Sequence, residues 1–134
     1  MVRILCFMLT GLVQLVNPSH ASLPDTIARV SSSVVGIGTV QKSRRPPAKM
    51  AGTGFVVGNG RSVITNSHVI PKEINAAKLE YLAVFTGRGN SPKARQAVVL
   101  KSDEAHDLAL LRIEGEPLPA LSLGDSSRVR EGEE

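Results

Sequence analysis

Apolar positions change their spacing twice along this chain. From Ile4 to Val16 they run almost unbroken, interrupted by Thr10, Gly11 and Gln14. From Leu23 to Val30 they fall at helical spacing, with Leu23, Ile27 and Val30 on one side. Pro24 suits a first helical position and Asp25 suits the positive end of the helix dipole. Beyond Val30 the pattern becomes short β-rich runs separated by turn residues. The runs are Val34 to Val40, Thr53 to Val57, Ser62 to Thr65, Leu82 to Thr86, Gln96 to Lys101 and Leu108 to Ile113. Asn59-Gly60 is a strong tight-turn signal, so the second and third runs are expected to pair as a hairpin. Gly87, Gly89, Asn90 and Pro92 mark the next turn. Six short strands with little helix predict an all-β unit, a small antiparallel barrel or sandwich. From Gly115 to Glu134 no periodicity is sustained, and Pro117, Pro119, Gly124 and Gly132 punctuate the stretch. It reads as a linker or an extended arm, ending in a charged segment with no core to join.

The first apolar run follows Met1-Val2-Arg3, a short positive start, and leads into Asn17-Pro18-Ser19-His20-Ala21. That order predicts a secretory signal peptide over residues 1–21, cut after Ala21. A membrane span needs about 20 apolar residues, and this run is shorter, so no stable span is expected after cleavage. Cys6, the one cysteine, leaves with the signal. The mature chain then has neither a disulfide nor a thiolate metal site. An exported chain without disulfides fits a bacterial periplasm better than an animal secretion.

Of 134 residues, 42% are hydrophobic and 21% charged, which allows one modest domain with a packed core. Aromatics are 3% and tryptophan is absent, so that core is expected to be aliphatic. The net charge of +4 owes much to Lys42, Arg44, Arg45 and Lys49. Such a cluster can serve an anionic partner. Pro46-Pro47 beside it, and the lack of an aromatic for base stacking, favour a solvated loop with no nucleic acid on it.

With His20 in the signal, two histidines carry the chemistry. His68 sits in Thr65-Asn66-Ser67-His68-Val69-Ile70, at the end of a predicted strand, where an imidazole can face a cleft while the strand fixes its backbone. Taken by itself it reads better as a structural or surface histidine than as a functional one. Asp107 heads the apolar run Leu108 to Ile113. A buried carboxylate that accepts from an imidazole nitrogen fixes its tautomer and stabilises the imidazolium. Asp103 is the competing carboxylate, but Lys101-Ser102-Asp103-Glu104 reads as solvated, which ranks it below Asp107. No HExxH or Cys/His ligand spacing occurs, and His106 and Asp107, as neighbours on a strand, would point to opposite faces. No phosphate-binding glycine loop is present either, so no metal or other cofactor is expected.

Gly52-Thr53-Gly54-Phe55-Val56-Val57, then Ile64-Thr65-Asn66-Ser67-His68-Val69, then Asp107-Leu108-Ala109-Leu110-Leu111 stand in series. Each motif alone is weak. Together they resemble trypsin-like serine proteases of the bacterial Deg/HtrA-like branch, over Val34 to roughly Gly132. The resemblance implies a two-barrel fold with its active site between the barrels. Residues 22–114, including a short helix at 23–31, would form the first barrel, and 115–134 would lead toward a second barrel that is missing. It also implies His68 as general base, Asp107 as orienting carboxylate, and the Gly52 to Phe55 strand beneath the histidine, where glycines allow close backbone approach. The activity implied is hydrolysis of protein or peptide substrates through an acyl-serine.

The nucleophile of such enzymes sits in a Gly-Asn/Asp-Ser-Gly-Gly segment, which this sequence lacks. Gly124-Asp125-Ser126-Ser127 imitates it, but Ser127 replaces the expected glycine and Ser126 follows Asp107 too closely for a second barrel to intervene. The chain by itself is therefore expected to be inactive. Two other readings stay open. One is a non-catalytic exported binding module that kept only this barrel. The other is an anion-binding protein using the Lys42 to Lys49 cluster.

Overall fold

The computed structural model describes residues 22–87 and 92–129. The expected signal peptide, with Cys6 and His20, lies outside the described residues, as do Arg130 to Glu134. Among the described residues one α-helix, α1 (Leu23–Ser31), precedes six strands: β1 (Val34–Val40), β2 (Ala48–Val57), β3 (Ser62–Thr65), β4 (Tyr81–Thr86), β5 (Lys93–Asp103) and β6 (Leu108–Ile113). The strands close into an antiparallel barrel in the order β1-β2-β3-β6-β5-β4. Of the two all-β alternatives left open by the sequence, the barrel is the one adopted.

Strand alternation sets which side chains meet inside. In β6, Ala109, Leu111 and Ile113 are buried while Leu108 and Arg112 are exposed. Val35 and Ile37 of β1, Val56 of β2, Val63 of β3, Leu82 and Val84 of β4 and Ala97 of β5 complete the core with Leu111 and Ile113. The cluster is aliphatic, as the composition predicted, and the buried ring of Phe85 lies outside it. Burying each large member stabilises the barrel by about 1.5–3 kcal/mol.

The β2–β3 hairpin forms as predicted, with Gly54↔Thr65 through Val57↔Ser62 paired and Gly58–Arg61 as the connection. Gly60 has φ +78, and Leu118 packs so close over it that a β-carbon would collide with the Leu118 carbonyl. β2 begins earlier than expected. Its first half, Ala48 to Met50, pairs with Gly38 to Val40 across a bulge at Ile37/Gly38, so the basic loop shrinks to Gln41–Pro47.

The segment after β6 is tied to the barrel as far as Leu121, more closely than a free linker would be. Arg61 Nε donates to the Gly115 carbonyl at 2.9 Å, Arg95 Nη1 donates to that of Glu116, and the Leu118 amide donates to Gly60 O at 2.9 Å. The Leu121 amide reaches Val56 O at 2.8 Å in a parallel bridge, and Leu118 packs on the core.

α1 forms where its apolar spacing predicted it, and it is capped. Ser22 Oγ accepts from the Asp25 amide, and Pro24 lies in the first turn. No residue of α1 is buried, and its apolar side, Leu23 and Ile27, stays open. Among the described residues no helix is long and apolar enough to cross a membrane.

Candidate active site

His68 and Asp107 lie 39 positions apart and meet at one rim of the barrel. β3 ends at Thr65, and the chain then makes a single 3-10 turn, Ser67–Val69, with His68 at its centre. Val69 anchors that turn against the core. It sits directly over β2 at Gly52, where a β-carbon would come within 2.8 Å of Val69 Cγ2. The bare backbone of Gly52 is what lets the histidine turn lie this low, as the resemblance implied.

Asp107 closes the β5–β6 turn with φ 52, a left-handed conformation uncommon outside glycine. Its carboxylate receives three hydrogen bonds. Ser67 Oγ and the His68 amide donate to Oδ1 at 2.8 and 3.0 Å, and His68 Nδ1 lies 2.6 Å from Oδ2. Asn66 Nδ2 donates to the Asp107 carbonyl at 3.0 Å. Three consecutive residues, Asn66, Ser67 and His68, thus grip one aspartate.

The His68 amide, then the Ser67 hydroxyl, then the His68 ring hold the Asp107 carboxyl down to about 2. Asp107 is therefore an anion at neutral pH. An anion facing Nδ1 places the ring proton there, which leaves Nε2 with its lone pair free. Both side chains remain accessible, His68 at 71% and Asp107 at 42%. Two open hollows, of about 450 and 610 Å³, share His68, Ile70, Pro71 and Lys72 as a common wall. Asp107, Ser102 and Glu104 line the second; Thr39, Lys49 and Glu80 line the first.

Asp103, the rival carboxylate, is engaged with His106 and not with His68. Ser126 opens a separate exposed 3-10 turn, Ser126–Arg128, and among the described residues no hydrogen bond joins it to His68. Asp125 caps that turn by accepting from the amide and hydroxyl of Ser127.

Of the basic cluster, Arg44 is already neutralised. Its Nη1 lies 2.7 Å from Glu80 Oε1, and its Nη2 donates to Thr39 and to the Pro47 carbonyl. Glu80, which the sequence did not single out, also accepts from Thr39 Oγ1 and from the Asn75 amide. These bonds, the Asn75 amide first, hold its carboxyl down to about 2. They pin the loop before β2 to the segment that follows the histidine turn. Lys42, Arg45 and Lys49 remain exposed.

A family model for the trypsin-like peptidase domain matches residues 52–134. Among relatives, a probable periplasmic serine endoprotease, DegP-like, of Hahella chejuensis is 36% identical over 92 residues, and its counterpart in Pseudomonas putida 33% over 90. Each alignment takes in 67% of this chain and 18% or 17% of the relative. Serine protease HTRA1A of Danio rerio is 32% identical over 115 residues, 83% of this chain and 22% of the relative. The chain thus spans about a fifth of the length of these curated relatives. In three dimensions the barrel resembles the HtrA-type protease AlgW, solved with a decapeptide. The TM-score is 0.63 and the identity 22%, over 83% of this chain and 38% of that one. The likeness is one of fold.

Proposed function

The chain belongs to the trypsin-like peptidase family, and from that premise we propose that it supplies the base and its orienting carboxylate to an exported serine endopeptidase acting on proteins or peptides. The observation that carries the reading is the 2.6 Å contact between His68 Nδ1 and Asp107 Oδ2. In this role Asp107 holds the Nδ1–H tautomer, and Nε2 takes the proton of a serine hydroxyl as that oxygen attacks the scissile carbonyl. The imidazolium so formed is stabilised by the carboxylate and returns the proton to the leaving amine. An acyl-serine remains, which water hydrolyses by the same base. The serine and its oxyanion hole come from a second barrel on polypeptide outside residues 22–129, and Ser126 is not the nucleophile.

A row of outward apolar side chains supports a docked partner domain. Val34, Phe55, Ile64 and Leu110 stand in register across β1, β2, β3 and β6. Val34 and Phe55 remain 47% and 36% exposed, and Leu108 beside them 48%. The bacterial relatives, probable periplasmic endoproteases, support export to the periplasm.

The test is a chimera in which residues 22–129 replace the corresponding barrel of a DegP-like relative. A cooperatively melting chimera should cleave casein and take up a fluorophosphonate label on the relative's serine. His68→Ala should abolish cleavage, and Asp107→Asn should slow it on the order of 10⁴-fold. A folded chimera that stays inactive, or one indifferent to His68→Ala, refutes the assignment. The chain by itself should neither cleave casein nor take up the label.

A further inference from the structure

The β5–β6 turn holds a second histidine–aspartate pair, separate from the first. His106 Nδ1 lies 2.9 Å from Asp103 Oδ2, and the His106 amide donates to Asp103 Oδ1 at 3.1 Å. The pair bridges residues i and i+3 across the turn that ends at Asp107. We propose that Asp103 and His106 are positioning residues, a clasp that shapes this turn so that Asp107 is presented to His68. The inference rests on the reading of His68 and Asp107 as base and orienting carboxylate.

The reasoning starts from the Asp107 backbone. A non-glycine residue at φ 52 is held there against a preference for other conformations. It persists only where its surroundings fix it from both sides. From the histidine side, Asn66, Ser67 and His68 supply that constraint. From the turn side, the Asp107 amide makes one long bond, to Glu104 O at 3.3 Å. One bond of that length is a weak brace for a strained residue.

The clasp supplies the missing brace. Asp103 is the last residue of β5, fixed by pairing with Leu108. By accepting from both the amide and the ring of His106, it sets where the chain stands one residue before Asp107. The His106 ring, then the His106 amide, hold the Asp103 carboxyl below its ordinary range, so the acceptor is an anion at neutral pH. His106 does not line either hollow at His68, and its role is exerted through the backbone.

The test reads the tautomer of His68 by ¹⁵N NMR on the purified chain, at a pH where the imidazoles are neutral. A free neutral imidazole favours the Nε2–H form, so an Nδ1–H pattern at His68 reports the Asp107 contact. The unmodified chain should show it, and Asp107→Asn should abolish it. Asp103→Ala should shift His68 toward the Nε2–H form and raise amide exchange at Asp107 by about tenfold or more, since an opened turn exchanges with solvent. Asp103→Asn keeps an oxygen for the His106 amide and should restore the unmodified pattern, whereas His106→Ala should give a partial shift. If Asp103→Ala does not fold, His106→Ala decides. An unchanged His68 pattern in the clasp variants, with Asp107→Asn still effective, overturns the clasp and leaves the active-site reading standing. An Asp107→Asn variant that also leaves the pattern unchanged overturns that reading itself.

Discussion

Replacing Gly52 with alanine adds one methyl group at the point where β2 passes beneath the histidine turn. The new β-carbon would stand 2.8 Å from Val69 Cγ2 and 2.9 Å from Cγ1, closer than unbonded carbons sit in folded proteins. Gly52 is fixed by its pairing with Ile37, so Val69 must yield. Val69 neighbours His68 and anchors its turn, and a displacement of a few tenths of an ångström there acts on a 2.6 Å contact with Asp107. Overpacking of this kind costs about 1–3 kcal/mol. Its effect on a positioned base is steeper, since a misplacement of about 1 Å can lower a catalysed rate about 10²-fold. Gly52→Ala should lower the urea midpoint of the chain and slow the chimera about 10-fold or more. Val69→Ala alone removes two methyl groups, roughly 1.5 kcal/mol at about 0.8 each. The double variant should then be more stable than the two single effects predict, because the clashing methyls are gone. Such a coupling of about 0.5–3 kcal/mol is within the range for residues in contact. Additive effects, or a Gly52→Ala chimera of full activity, would refute the idea that this glycine seats the histidine turn.

Leu111→Ala opens the aliphatic core at a residue with no exposed surface and should cost about 2–5 kcal/mol, read as a lower urea midpoint at unchanged slope. Acid stability should depend on two carboxylates. The carboxyls of Glu80 and Asp107 fall in the fold to about 2 from ordinary values of 4.5 and 3.8, so their contribution is full above those values and is lost as pH falls toward 2. Melting temperatures between pH 5 and 2 should therefore fall less steeply in Glu80→Gln than in the unmodified chain; an unchanged slope would contradict the assignment. Ser126→Ala should leave the chimera's rate within about twofold, and a large loss would reinstate Ser126 as a reacting group.

The barrel was legible wherever one face of a strand is buried. β1, β3 and β6 are short runs rich in apolar and β-branched residues, buried at every second position in β3 and β6, and their predicted limits match the observed ones. The first half of β2 was not legible, because Ala48 to Gly52 holds no β-branched or aromatic residue and follows two prolines. Pairing with β1 extends that strand, and no local propensity announces it. β5 was short at both ends for a related reason. Lys93, Ala94 and Arg95 at one end and Ser102 and Asp103 at the other make no apolar run, and pairing with β4 and β6 carries the strand over them. Of the site, His68 and Asp107 stood out as motif residues, while Ser67 and Asn66 read only as small polar neighbours. Glu80 left no signal at all: its partner Arg44 is 36 residues away, and a lone glutamate before a strand is ordinary. Asp103 was taken for a solvated residue because its neighbours are polar, and the contact that occupies it becomes visible only once the turn closes.

The meeting of His68 with Asp107 follows from the core pattern more than from the two residues themselves. β3 and β6 pair as Val63↔Leu111, Ile64↔Leu110 and Thr65↔Ala109. Asp107 lies two residues before Ala109 and Ser67 two residues after Thr65, so this register brings both to the same rim. A slip of one residue would turn Val63 and Leu111, both with no exposed surface, out of the core. A slip of two would keep the faces but slide the strands by about 7 Å, at about 3.4 Å per residue. Four hydrogen bonds between Asn66–His68 and Asp107 do not survive such a displacement. The burial of Val63, Leu111 and Ile113 thus excludes the odd slips, and the four bonds at the rim exclude the even ones, which leaves the register in which an imidazole and a carboxylate touch. It follows that substitutions deep in the barrel, far from either side chain, should impair the pair in proportion to how far they loosen the β3–β6 ladder.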